Sequence, residues 1–117
     1  KLLSNLSDDE IKILYKNCSL FIFPSTYEGF GIPVLEAMSF NKKIILSNID
    51  PFKEIIKFNK KIFFDPSNPS DIARKIKLNL KSSKINKNEY KKNLKFYQNK
   101  ILAFKIYNLY LKLIRKK

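Results

Sequence analysis

This 117-residue chain contains no histidine, one cysteine, two glycines and two arginines, Arg74 and Arg115. Each scarcity excludes something. Without imidazole there is no histidine general base and no metal site of the usual kind. A lone Cys18 forms no disulfide within the chain, and near the end of an expected helix it reads as a small buried apolar residue. No apolar run approaches the roughly 20 residues that a membrane-spanning helix needs. The charge balance, 24 basic against 10 acidic residues for a net +14, is a footprint of polyanion or anionic-membrane binding. Yet the lysines are scattered through every expected helix and loop, and arginine, which leads at base-reading sites, is nearly absent. No specific nucleic-acid partner is expected; salt-sensitive attraction to anionic head groups and sugar diphosphates is.

The two glycines fall together. Gly29 and Gly31 lie in Ser25-Thr26-Tyr27-Glu28-Gly29-Phe30-Gly31-Ile32-Pro33-Val34-Leu35-Glu36-Ala37. Before it, Leu20-Phe21-Ile22-Phe23-Pro24 is an apolar run too short for a helix and closed by proline, which reads as a buried parallel strand. After it, Pro33 suits the first position of a helix, where its missing N–H would be unpaired anyway. The stretch is therefore a strand-to-helix turn whose glycines allow unusual backbone angles and close approach of a ligand. Free N–H groups and the positive end of the helix dipole favour an anion there. Glu36 falls about one turn into the helix and Glu28 on the loop before it, so both can face one crevice. Two carboxylates would repel a diphosphate at contact distance, so they are expected to accept from neutral hydroxyls while backbone N–H groups take the phosphates. A sugar nucleotide has hydroxyls at both ends and a diphosphate between.

The motif Phe23-Pro24-Ser25, Tyr27-Glu28-Gly29-Phe30-Gly31, then Pro33-Val34-Leu35-Glu36-Ala37-Met38 resembles the signature of the group 1 glycosyltransferases, a retaining family with the two-domain GT-B fold. Looser similarity runs from about Ser7 to Ile76, through Ser7-Asp8-Asp9-Glu10, Ile44-Ile45-Leu46-Ser47 and Phe64-Asp65-Pro66-Ser67-Asn68-Pro69. The resemblance implies that Glu28 faces the donor sugar hydroxyls as the catalytic glutamate and that Glu36 binds the ribose. It further implies that backbone amides from Gly29 and Phe30 through Gly31, Ile32, Val34 and Leu35 contact sugar and diphosphate. No metal and no cofactor besides the nucleotide-sugar substrate is expected. The chain departs from the family pattern at Asn41 and Lys43, where glycine and proline are usual, and at Gln98, where a tryptophan is common. Asn41 can still adopt the left-handed conformation at a helix end.

The remaining pattern alternates strands and helices. Ser7 and Glu10 have capping-box spacing for a helix to Asn17, with Ile11, Leu14 and Tyr15 on one face. Asp50-Pro51 opens a short helix through Phe52, Ile55 and Ile56, and Lys61–Phe64 is a strand candidate. Asn68-Pro69 starts a helix with a stripe of Ile72, Ala73, Ile76 and Leu80. Lys81 to Asn88 reads as a solvated connection. A helical tail follows, with Leu102, Ile106, Leu109 and Leu113 in one stripe, widened by Tyr107, Tyr110 and Ile114.

The expected fold is α/β: a partial Rossmann-like parallel sheet with flanking helices. Residues 1–80 are expected to form a donor-binding portion and 81–117 a helical tail of the same domain, together the later part of a GT-B second domain. The first domain and the glycine-rich loop with its basic pair are not in this stretch, so independent catalysis is not expected of it. The implied activity is that of a hexosyltransferase moving a sugar from a nucleotide-diphosphate sugar to a glycan or lipid-linked glycan. The expected setting is polysaccharide synthesis in the cytoplasm, either free or peripherally attached at the inner face of the cytoplasmic membrane. The alternative is a non-catalytic basic remnant or polyanion-binding module.

Overall fold

The computed structural model describes residues 2–82, 84–98 and 103. In order they form α1 (Asp8–Asn17), β1 (Phe21–Phe23), α2 (Ile32–Ser39), β2 (Ile44–Ser47), α3 (Asp50–Ile55), a 3-10 turn (Lys60–Ile62), β3 (Phe63–Phe64) and α4 (Pro69–Lys81). A further helical run, α5, covers 87–98. The strands make one parallel sheet in the order β1-β2-β3, with Phe21 opposite Ile44, Phe23 opposite Leu46 and Leu46 opposite Phe63. This is the α/β arrangement, parallel strands with helical connections, that the alternating pattern predicts. The expected tail stripe of Leu102, Ile106, Leu109 and Leu113, with Tyr107, Tyr110 and Ile114, lies outside the described residues.

Local chemistry starts and stops most of these elements. At α1, Ser7 Oγ accepts from Glu10 N–H (3.3 Å) while the Glu10 carboxylate accepts from Ser7 N–H (2.8 Å), closing the capping box. That backbone bond holds the Glu10 carboxyl below its ordinary value. Asn68 caps α4 through Asp71 N–H (3.1 Å). The end of α2 is a Schellman motif: Asn41 stands at φ 53°, its N–H bonds to Met38 O (2.9 Å) and Lys42 N–H reaches Ala37 O (3.0 Å). Asparagine thus does at Asn41 what glycine commonly does.

Three starts differ from expectation. Pro33 is second in its helix, after Ile32, and Gly31 is the N-cap. Asp50 does not cap α3; Ile49 holds that position and Asp50 pairs with Lys53 (3.0 Å) inside the first turn. Lys61 and Ile62 belong to a 3-10 turn because the Asn59 side chain accepts from Lys61 N–H (3.0 Å), and that local bond competes with strand pairing. The strand shortens to Phe63–Phe64 as a result.

The core gathers Val34, Leu35, Ala37 and Met38 of α2, the whole of β2, Phe52 and Ile55 of α3, and Tyr90 and Tyr97 of α5. Ile44, Ile45 and Leu46 are almost completely buried, each contributing about 1.5–3 kcal/mol. The helix α5 is fastened by its tyrosines, Tyr90 to Lys42 O and Tyr97 to Glu54 O, both at 2.9 Å. By contrast α1 and α4 carry no fully buried residue. Their stripes are only half covered: Ile72 and Ile76 are half-buried while Ile11, Leu14, Ala73 and Leu80 are exposed. Cys18 is half-buried, less enclosed than its residue type suggests.

Candidate functional site

Strand β1 delivers the chain to the turn. Its carboxyl end leads into Pro24 and Ser25, at the end of a parallel sheet where α/β proteins bind ligands. Ser25 Oγ lies 3.0 Å from Glu28 Oε1 and 2.9 Å from Tyr27 O, and its single proton serves one of these two acceptors at a time, at either of which it folds the loop back beside the half-buried Glu28. Tyr27 is 89% exposed and forms the outer lip.

The two glycines differ in what they need. Gly31 is buried at φ 76°, and a Cβ there would meet Phe52 Cε1 at 3.0 Å and Ile55 Cδ1 at 3.2 Å. Its left-handed turn and the close approach of α3 both require glycine. Gly29 has no positive φ, and a Cβ there would find nothing within 4 Å. The space beside Gly29 is open to a visitor, whereas the space beside Gly31 is occupied by the fold.

The start of α2 follows directly. Gly31 offers no side-chain cap, and Ile32, as first helical residue, has no intrahelical partner for its N–H. Pro33 has no N–H, and Val34 N–H bonds to Gly31 O (3.0 Å). The Val34 and Leu35 side chains are in the core, and the Val34 N–H is already taken by Gly31 O, so the Val34 amide is not free to contact a diphosphate as the resemblance implies. Phe30 is half-buried and meets Tyr97 edge-on at 5.6 Å, which ties the loop to α5. Glu36 is exposed on α2, one turn beyond the glycine cap.

One participant was not expected at this site. Tyr15 of α1 donates its phenolic proton toward Glu36 Oε2 (3.0 Å), with Pro33 O at 3.3 Å. Burial, with the Glu36 carboxylate as acceptor, holds the Tyr15 phenol well above its ordinary value, so the group is a donor throughout the physiological range. Twenty-one positions separate the pair. Helix periodicity within α1 marks Tyr15 as inward-facing, but it contains no signal for a contact with α2.

A concavity lies away from this turn. Asn48, Lys53, Ile56, Lys57, Lys60 and Phe63 line an open groove of about 540 Å³ between α3 and β3. None of the expected donor-binding residues lines it. Among the described residues no cluster of three or more His, Cys, Asp or Glu could hold a metal ion, and no helix is long and apolar enough to cross a membrane.

The family model described as glycosyl transferases group 1 matches residues 1–100. The chain belongs to that family. Among relatives of this group 1 member, the serotype-specific mannosyltransferase WbdA of Escherichia coli is 44% identical over 69 residues, 59% of this chain and 8% of that protein. The O-antigen chain mannosyltransferase RfbU of Salmonella typhimurium is 37% identical over 75 residues, 64% of this chain and 21% of its own length. An N,N'-diacetylbacillosaminyl-diphospho-undecaprenol alpha-1,3-N-acetylgalactosaminyltransferase of Campylobacter jejuni is 32% identical over 111 residues, 91% of this chain and 29% of that enzyme. The chain thus spans less than a third of each of these curated relatives.

Proposed function

We propose that this chain forms the donor-binding side of a GT-B glycosyltransferase that moves a hexose from a nucleotide-diphosphate sugar to a glycan or lipid-linked glycan with retention. The observation that carries this reading is the turn itself. A half-buried Glu28 and a tyrosine-held Glu36 flank a glycine-capped helix start with open space at Gly29. In this reading Ile32 N–H and the helix dipole meet the diphosphate, where charge develops on the leaving group. Glu28 accepts from the sugar hydroxyls and fixes the ring; Glu36 accepts from the ribose. Catalysis is then positional and electrostatic, without a metal. Residues 1–80 supply the donor site, 81–117 belong to the same domain, and the first domain of the GT-B pair supplies the acceptor.

Relatives named for mannosyl transfer and O-antigen chains support a hexose donor and a surface-polysaccharide acceptor. The relative named for a diphospho-undecaprenol substrate supports a lipid-linked one. A lipid-linked acceptor and the net charge of +14 together favour peripheral attachment to the inner face of an anionic membrane.

Ligand-observed NMR with UDP-, GDP- and ADP-sugars tests the reading. Selective binding of one nucleotide, lost in Glu36→Ala, is the expected result; in the complete enzyme Glu28→Ala should chiefly lower transfer. Full activity in both variants would refute these roles. The basic groove at Lys53, Lys57 and Lys60 favours a second reading, a polyanion-binding module. Its mark is binding that ignores nucleotide identity and disappears in salt.

A further inference from the structure

We infer that Tyr15 is a positioning residue for nucleotide binding: its hydroxyl presets the Glu36 carboxylate to accept from vicinal ribose hydroxyls. The inference rests on the donor-site reading above and adds a residue from a different helix.

Three observations converge on it. First, the tyrosine ring is immobilised on two sides, stacked on Phe40 at 5.4 Å with planes 7° apart and tilted against Phe21 at 5.7 Å. Phe40 is the C-cap of α2 and Phe21 opens β1, so the ring is wedged between the two elements that frame the turn. Second, α1 has no fully buried residue, and Tyr15 is the residue of that helix with rings packed around it. Third, the hydroxyl at the end of this ring meets α2 at two acceptors, Glu36 Oε2 at 3.0 Å and Pro33 O at 3.3 Å. A phenol has one proton, and the shorter approach is to the charged oxygen, where a hydrogen bond is stronger.

The consequence is preorganisation. An exposed glutamate on a helix samples several rotamers and loses that freedom when a ligand binds. Tyr15 removes part of the cost in advance by occupying one lone pair of Oε2. An ionised carboxylate offers about four acceptor sites, so Oε1 and the rest of Oε2 remain for two ribose hydroxyls. Raising the phenol pKa by burial keeps the proton in place, so the contact persists across physiological pH.

Calorimetric titration of the full chain with UDP, GDP and ADP, and with their 2',3'-dideoxy analogues, separates this role from a structural one. Tyr15→Phe should weaken the preferred ribonucleotide about three- to tenfold and leave the dideoxy analogue within about twofold, since phenylalanine keeps the ring and removes only the donor. Equal weakening of both ligands, or none, overturns the positioning role while a loss in Glu36→Ala still upholds the donor site. No nucleotide binding by the parent chain, or undiminished binding by Glu36→Ala, overturns both.

A ligand-free measurement guards against a variant that fails to fold. Glu36 is exposed, so Glu36→Gln leaves the packing intact, and the ¹³Cζ resonance of Tyr15 should move in that variant. An unmoved resonance contradicts the contact.

Discussion

At the scale of single residues, the turn separates two glycines that look alike in sequence. Gly31 is held by a positive φ and by Phe52 and Ile55; Gly29 has neither constraint. A left-handed non-glycine residue costs about 1–2 kcal/mol before any clash. Gly31→Ala should therefore destabilise by about 2 kcal/mol, and Gly29→Ala by less than about 0.5 kcal/mol, in urea unfolding. Equal effects would mean that the helix start is not built on Gly31. If the open space beside Gly29 receives the donor, Gly29→Ala should still weaken nucleotide binding. Stability and binding thus part company at two positions in one loop.

Tyrosines give a second residue-scale test. Burial pushes the Tyr90 phenol up to about 12 from an ordinary 10. The folded state favours the neutral phenol, so this contribution is fully present below pH 10 and is lost as pH rises through about 12. Alkaline titration should show cooperative unfolding in that window, monitored by circular dichroism alongside phenolate absorbance. Tyr90→Phe forfeits the bond to Lys42 O, costs about 1 kcal/mol at neutral pH and removes its share of the alkaline transition. Ionisation of Tyr90 itself near pH 10, seen as no difference between the parent and Tyr90→Phe in the alkaline transition, would contradict the buried placement.

At the scale of elements, helix starts carry information of very different range. The caps at Ser7 and Asn68 rest on hydrogen bonds three residues away, so sequence spacing alone identifies them. The same holds at the end of α2, where Asn41 can take the conformation that glycine usually supplies. Asn68→Ala should cost about 1 kcal/mol, read from the urea midpoint. It should also disturb Asp71, whose carboxyl is held low by Asp65 N–H and then by Arg74. A depressed carboxyl contributes stability above its unfolded pKa and loses it as pH falls. Asp71→Asn should consequently flatten the acid side of the stability profile.

Less was legible where partners are distant. The 3-10 turn at Lys60–Ile62 depends on the Asn59 side chain outcompeting strand pairing, a balance that apolar runs do not express. Tyr15 meets Glu36 across 21 positions and Tyr97 meets Glu54 across 43. The motif around them marks the glutamates, whereas the tyrosine that holds one of them shows only in the packing of α1 on α2.

At the scale of the whole molecule, the proposed donor site and the polyanion-binding alternative fall on two different regions. One is the β1–α2 turn, with backbone N–H groups and two carboxylates. The other is the lysine groove at α3 and β3. With a net charge of +14, long-range attraction alone brings any polyanion to the surface, and salt weakens it. On the proposed donor-site reading, recognition of a sugar nucleotide must survive that screening because it would rest on hydrogen bonds at short range.

The most direct test is therefore amide chemical-shift mapping of the full chain at near-physiological salt, titrated with GDP-mannose, UDP-N-acetylgalactosamine and ADP-glucose. The account predicts that one of them moves the amides of Glu28, Gly29, Gly31 and Ile32 in a saturable way. Shifts confined to Lys53, Lys57 and Lys60, alike for every nucleotide and erased by added salt, would contradict it.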